Sequence, residues 1–443
     1  GYDRVAGGQF FALVGAITAG GRTAGNSPVG SIRDPATLLY QSLPGCPQFS
    51  SISPPDAGGG CLWETQQYRS LSPSEEFGNL FARGTFALGD SAELYAEFGY
   101  SKKNNAFNNT PSGVSGSWGY PGGPVNASSG RGATVLGAAH PDNPLGVDAL
   151  LRYAAFDVGP RRTRTSNEFN RVLLGIKGSW GDWDIDTAYL HSATQLVNRR
   201  TGFVRYSHVR TALTDPASPV GWWRIGDDAG LNSQALYDYI APPISANAST
   251  SLDMIDFKAS RSLMDLAGGP LGLALGVEYR RQKANLEPQT YTDQGDIIGL
   301  GYSAYGGTQE VAVGYAEMVA PLLPSLEASA AFRVDKYRGG ETATTPKVGL
   351  KWTPADWVAL RATYAEGFRA PNPAEAGDGG LAGFSTTRDP LRCPGGTPVP
   401  GATAADCAVN LAIITTPNPD LQPEESKSYT VGVVLDPTPT TTL

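Results

Sequence analysis

The strongest constraint on this chain is a period of two. In LGLALGVEYR, residues 271–280, Leu271, Leu273, Leu275, Val277 and Tyr279 fall on one side of an extended chain, and Gly272, Ala274, Gly276, Glu278 and Arg280 on the other. Residues 325–337 repeat the pattern, with Leu326, Ala328, Ala330, Phe332 and Val334 opposed to Glu327, Ser329, Ala331, Arg333 and Asp335. So do RVLLGIKGSW and WDIDTAYLHS, where Val172, Leu174, Ile176, Ile185 and Tyr189 oppose Lys177, Asp184 and Asp186. Side chains alternate between faces only along a strand, so these segments read as two-faced β-strands. VAVGYAEMVA is less regular, because Glu317 shares a parity with Val313 and Tyr315.

The connections differ at the two ends. Tight turns are expected at Gly89-Asp90, at Gly181-Asp182, and at 265–270, 321–325 and 353–356; long segments at about 20–76, 104–167, 198–250, 285–308 and 368–424 separate the resulting hairpins. Compact soluble domains rarely carry so many long loops, whereas a membrane barrel has short turns on one side and long loops on the other. The longest apolar run, FFALVGAI at 10–17, falls short of the roughly 20 residues of a membrane helix, so a membrane-spanning form must be a closed barrel. Trp180 and Trp183 bracket one tight turn and Trp352 and Trp357 another, as in an interfacial girdle. A soluble, secreted β-sandwich also alternates; strands of about ten residues and the loop asymmetry favour an all-β, antiparallel transmembrane barrel with long extracellular loops. Eleven strands are expected between 77 and 436, with a twelfth at 8–19. YTVGVVLDPTPTTTL ends in a turn without a following strand, and open edges are not viable in lipid. The chain is therefore expected to be part of a larger barrel, or to assemble with the remainder.

Composition narrows the chemistry. Gly (55) and Pro (34) are abundant, as turns require, and a net charge of −8 argues against a nucleic-acid partner. The four cysteines fall as two close pairs, Cys46 with Cys61 and Cys393 with Cys407, which fits two disulfide loop staples. Zinc is the rival reading, without a CxxC spacing and with His140, His191 and His208 far apart. Asp182, Asp184 and Asp186 resemble the start of a calcium loop, but Thr187 stands where its glycine belongs, and alternate acids on one strand face suit a polar lumen. GRGATVLG at 130–137 lacks the lysine of a phosphate loop. No GxSxG or HExxH occurs, so no catalytic residue, metal or cofactor is assigned. Trp222, Trp223 and Arg224 form the densest aromatic–cationic cluster in a loop, suited either to gripping a ligand or to packing that loop.

One stretch ends a strand abruptly: WVALRATYAEGFRAPNPAE, residues 357–375, sets Val358, Leu360, Ala362 and Tyr364 opposite Arg361 and Thr363, then stops at Ala-Pro-Asn-Pro. It resembles the barrel signature of TonB-dependent outer-membrane receptors. NPDLQPEESKSYTVGV from Asn418 resembles the family's return strand, and 316–337 with 345–357 resemble its preceding hairpins. The resemblance is specific over about 270–436 and weaker over 70–200. It implies a 22-stranded barrel closed by a plug, of which these 443 residues are a partial barrel domain, with the plug and several closing strands outside them. It further implies uptake of a scarce solute (an iron chelate, a cobalamin-like molecule or an oligosaccharide) with energy relayed by TonB through the plug. The implied partners are outer-membrane lipid, that energy complex and the solute. Gly367, Phe368, Arg369, Ala370 and Pro371 would form a strand rim, with Arg369 a polar anchor, and Pro423, Glu424 and Ser426 would open the returning strand. A passive barrel or adhesin is the alternative.

Overall fold

The computed structural model describes residues 28–37, 39–45, 68–115 and 134–436. Two short strands, β1 (Ser31–Arg33) and β2 (Tyr40–Ser42), precede the long hairpin β3 (Ser74–Leu88) and β4 (Ala92–Pro111). Three short strands follow, β5 (Gly113–Ser115), β6 (Val135–Leu136) and β7 (Ala149–Ala154). Then come β8 (Pro160–Trp180), β9 (Trp183–Thr201), β10 (Ile244–Leu266), β11 (Gly269–Leu286), β12 (Ser303–Leu323), β13 (Leu326–Tyr337), β14 (Thr342–Ala355) and β15 (Val358–Arg369). A hairpin of β16 (Asp378–Thr387) and β17 (Val409–Thr415) precedes β18 (Glu424–Leu435).

The long strands form one antiparallel sheet in the order β18-β15-β14-β13-β12-β11-β10-β9-β8-β4-β3, with β16 joined to β12 and β17 to β16, 13 strands in all. The eleven strands expected from alternation are the eleven on this path; the expected strand at 8–19 lies outside the described residues. All five tight turns join sequential strands at one end. Three of them use glycine at positive φ, Gly89 (φ 69°), Gly181 (φ 62°) and Gly269 (φ 138°), where a Cβ would be strained. Trp180, Trp352 and Trp357 stand exposed at this end.

Register separates the faces. Tyr189 lies opposite Ile255 and Ile255 opposite Tyr279, while Asp186 lies opposite both Lys177 and Lys258. The apolar rows point outward: Ile255 is 54% exposed, Val277 57% and Val348 52%, beside Leu174, Phe332 and Leu350. A sheet that leaves a continuous apolar face uncovered needs an apolar surrounding.

The strands are longer than the ten residues expected; β8 has 21 and β10 has 23. The segments read as loops from 104 and 198 begin inside the ladder, with Asn104 paired to Ser166 and Arg199 to Arg164. Polar residues on both faces erase the period there, yet the backbone ladder continues because pairing does not depend on side chains. At about 3.3 Å per residue, 23 residues reach roughly 75 Å, well beyond an apolar band about 25 Å tall.

Beyond these extensions the loops fold into a cap. β2-β1-β7-β5, with β6 on β7, form a five-stranded sheet. Against it pack α1 (Tyr206–Thr214) and α2 (Gln234–Ile240) around a core including Ile32, Leu136, Leu151, Tyr153, Leu213, Trp223, Leu236 and Ile240. Arg205 gives α1 no side-chain cap; instead Asp296, from the β11–β12 connection, accepts from the Ser207 amide (2.8 Å) and hydroxyl (2.7 Å). A carboxylate at a helix start satisfies free N–H groups and the dipole together.

Candidate functional site

The inner face of the sheet is a belt of ion pairs. Glu97 receives Arg171 at 2.7 Å and Arg83 at 3.5 Å, Lys177 meets Glu93 at 3.2 Å, and the Tyr95 hydroxyl donates to Asp186 at 2.7 Å. Farther round, Lys258 meets Asp256 (3.2 Å), Arg280 meets Glu278 (3.1 Å) and Arg333 meets Asp335 (2.8 Å), whose side chain is 1% exposed. Such burial of charge is tolerable because each group finds an opposite partner. Two glycines make room for rings from neighbouring strands: a Cβ on Gly175 would strike Tyr95 and one on Gly276 would strike Tyr315. Asp184 and Asp186 lie on this face, where the alternating acids were expected.

The cap gathers the aromatic–cationic cluster. Trp223 is 0% exposed, packs edge-on against Tyr153 (ring centroids 5.5 Å apart) and donates from Nε1 to Asp157 at 2.8 Å. Asp157 also accepts from the Tyr153 hydroxyl (2.8 Å) and the Asn232 amide (3.2 Å). Burial holds the Asp157 carboxyl above the usual carboxylate range, and burial followed by the nearby Asp157 pushes the Tyr237 phenol up to about 12. Arg224 forks onto Asp142 (Nε to Oδ1 2.8 Å, to Oδ2 3.0 Å) and also meets Asp228. His140 sits under this pair. Its Nδ1 accepts from the Asp142 amide (3.1 Å) and its Nε2 faces the Trp223 carbonyl (3.1 Å), the arrangement of a neutral ring protonated at Nε2. Burial lowers its proton affinity. Trp222, half-buried, meets His140 edge-on at 5.0 Å. The structure thus brings Trp222, Trp223 and Arg224 together, and Trp223 and Arg224 are occupied in holding the cap. Sequence reading missed their partners, His140, Asp142 and Asp157, which lie 66 or more residues away.

At the strand rim, Arg369 is the hub. Its guanidinium donates to Glu375 (2.9 and 3.0 Å) and to Glu424 (3.2 and 2.7 Å). Asn372 caps the short helix α3 (Pro373–Ala376), accepting from the Ala374 and Glu375 amides, while Glu375 reaches back to the Asn372 amide at 2.9 Å. Glu375 titrates below its ordinary range, first because of Arg369. The Pro371 carbonyl accepts from Gln309 (3.0 Å), Ser426 donates to the Gly367 carbonyl (3.4 Å), and Phe368 with Ala370 packs on Val311, Val313 and Tyr337. Pro423 immediately precedes β18. The Gly-Phe-Arg-Ala-Pro junction therefore turns β15 into a capped helix and binds the returning strand through one arginine.

Cys393 and Cys407 are bonded, and Cys46 and Cys61 lie outside the described residues. Outward-facing His191 meets Asp253 (2.7 Å), and His208 stacks on Tyr239 with its Nδ1 2.6 Å from the Tyr239 carbonyl. Among the described residues, no three His, Cys, Asp or Glu side chains converge to hold a metal.

Residues 97–443 match the family described as TonB dependent receptor-like, beta-barrel, and the chain belongs to that family. These are outer-membrane receptors and transporters rather than enzymes. Among solved structures, the siderophore receptor PirA from Acinetobacter baumannii aligns with a TM-score of 0.47 at 13% identity, over 82% of this chain and 41% of that one. The RagAB peptide importer in its "closed-closed" state gives 0.46 at 9% identity, over 81% and 38%. A mutant of the ferric enterobactin receptor PfeA from Pseudomonas aeruginosa gives 0.35 at 14% identity, over 81% and 51%. The chain spans between about two-fifths and one-half of the length of these proteins. No curated protein matches it significantly.

Proposed function

We propose that residues 1–443 form part of the barrel wall and outer cap of an outer-membrane importer, in which loops capture a scarce solute and an inner-membrane energy complex acts through a plug outside this segment. One observation carries the reading: a single antiparallel sheet, apolar outward and ion-paired inward, bears among the described residues a folded cap at one end and tight turns at the other. An apolar exterior suits outer-membrane lipid, and a charged interior suits a hydrated passage lined by a plug. The solute is an iron chelate, a cobalamin-like molecule or an oligosaccharide, held by differential affinity between resting and energised states rather than by covalent chemistry.

The test is uptake of labelled members of these three classes by cells carrying the complete receptor, with and without a protonophore. Accumulation of one class that collapses with the proton gradient is expected. Accumulation that ignores the gradient would make the protein a passive barrel, and attachment to surfaces without any uptake would make it an adhesin.

A further inference from the structure

Where β8 and β9 rise beyond the apolar band, their sequences are PRRTRT and NRRT, and five arginines meet in one ladder. Arg164 lies directly opposite Arg199, and Arg200 lies opposite Thr163, one residue from both Arg162 and Arg164. Like charges set across a strand pair repel, so this register works against the sheet unless something offsets it. Parity divides the group. Arg162, Arg164 and Arg199 share the outer parity and are exposed. Arg161 and Arg200 share the parity of Arg171 and of buried Thr163, and point inward at the base of the cap.

The inner pair flanks one ring. The Arg161 guanidinium lies 5.5 Å and that of Arg200 5.7 Å from the centroid of Phe203, which packs with Ile244 and Ile297. Arg161 donates from Nε to the Thr110 carbonyl (2.8 Å) and from Nη2 to its hydroxyl (3.2 Å), both uncharged partners. Arg69 adds a third cation close enough to repel Arg161, and its own contact is the Asn109 amide oxygen at 3.4 Å. Among the described residues no carboxylate pairs with any of these three, and the buried Nε of Arg200 has no hydrogen-bond partner. A cation–π contact would hold one guanidinium over Phe203; it does not explain a second on the same ring, nor a third beside them. Lower on the inner face, Arg171, Arg280 and Arg333 each meet an acid.

We propose that Arg161 and Arg200, with Arg69 at the edge, form an oxyanion-binding site at the base of the cap. It would take a carboxylate or phosphate group of the solute. The planar fork of arginine matches both groups, and the inward parity assigns the site to a solute rather than to lipid headgroups. This rests on the importer reading only for the identity of its occupant.

The test titrates inorganic phosphate and pyrophosphate into the purified complete receptor in detergent, by calorimetry against chloride at matched ionic strength. Saturable binding is expected, weakened about tenfold or more in Arg161→Gln and in Arg200→Gln and unchanged in Arg210→Gln on the exposed face of α1. Unchanged protease protection of the cap shows that each variant is folded. Arg200→Lys, which keeps charge and stem, provides a second measurement if the glutamine variant fails, with an intermediate loss expected. Absence of saturable binding to the native receptor, or equal binding by the native protein and both inner variants, overturns the site. Energised uptake without phosphate binding would sink only the site, and phosphate binding without energised uptake only the importer.

Discussion

Replacing Trp223 with alanine should melt the cap and leave the barrel wall intact. The indole is fully buried and hydrogen-bonded to Asp157. A buried aromatic removes about 150–250 Å² from water, worth roughly 4–6 kcal/mol at about 25 cal/mol/Å². Measured truncations of buried Trp or Phe cost about 3–5 kcal/mol after partial collapse of the cavity. The Trp223 amide also donates to the Ala212 carbonyl of α1 (2.9 Å), so the effect should reach that helix directly. A loss of about 4 kcal/mol corresponds to nearly three orders of magnitude in a local opening constant. Hydrogen exchange of the complete receptor in detergent reads this: amides of β7, α1 and α2 should exchange about a thousandfold faster, while β13–β15 stay protected. Trp223→Phe keeps most of the ring but loses the N–H to a buried acid, and should cost only about 1–3 kcal/mol. Equal protection of the cap in Trp223→Ala and native protein would refute the claim that these loops share one core. Equal acceleration in the main sheet would refute its independence from the barrel.

Three further outcomes follow from the same geometry. Burial lowers the proton affinity of His140, against the raising effect of Asp142 and with that of Arg224, so the unfolded cap takes up a proton more readily than the folded one. Stability is then lost as pH falls from about 6.5 toward the lower folded value, while Asp157, shifted upward, acts oppositely at lower pH; protection factors of the cap, corrected for the intrinsic exchange rate at each pH, should fall between pH 7 and 5.5, and His140→Gln should flatten that response. Arg369→Ala leaves Glu375 and Glu424 facing each other without a cation, so trypsin should cut at Arg388 and Arg392 faster while the barrel band on an unheated gel persists. The Cys393–Cys407 bond closes a loop with a sequence separation of 14, worth about 3 kcal/mol to that hairpin; alkylation without reductant should leave both residues unmodified, and labelling at either would contradict the bond.

The barrel wall was legible because its physics is local. An apolar surrounding outside and water inside impose alternation residue by residue, so Val277 against Glu278, or Phe332 against Arg333, announces a face without knowledge of any partner. The tight turns were equally local, since glycine at positive φ is written in the sequence at Gly89 and Gly181. What escaped was decided at a distance. Above the membrane both faces of β4, β8 and β9 are wet or covered by the cap, so alternation vanishes although the ladder continues. The cap core joins Ile32, Tyr153, Trp223 and Ile240 from segments that no period connects. Trp223 drew notice as an aromatic beside a cation, and only its distant acid, Asp157, shows that it packs. The arginines of β8 and β9 raised no signal as a string, because their opposition exists only in the paired register.

The most direct test of the account labels single cysteines along β11, from Gly272→Cys to Arg281→Cys but omitting Gly276, whose Cβ would strike Tyr315, in the complete receptor reconstituted in lipid vesicles. Nitroxides at these sites are then challenged with oxygen, which concentrates in hydrocarbon, and with a water-soluble nickel chelate. Oxygen access should peak at 273, 275, 277 and 279 and the intervening sites should favour the chelate, a period of two set by lipid on one face and water on the other. Sites 273–279 shielded from both reagents on one face and wet on the other would be the pattern of a soluble sandwich, and would contradict the membrane barrel.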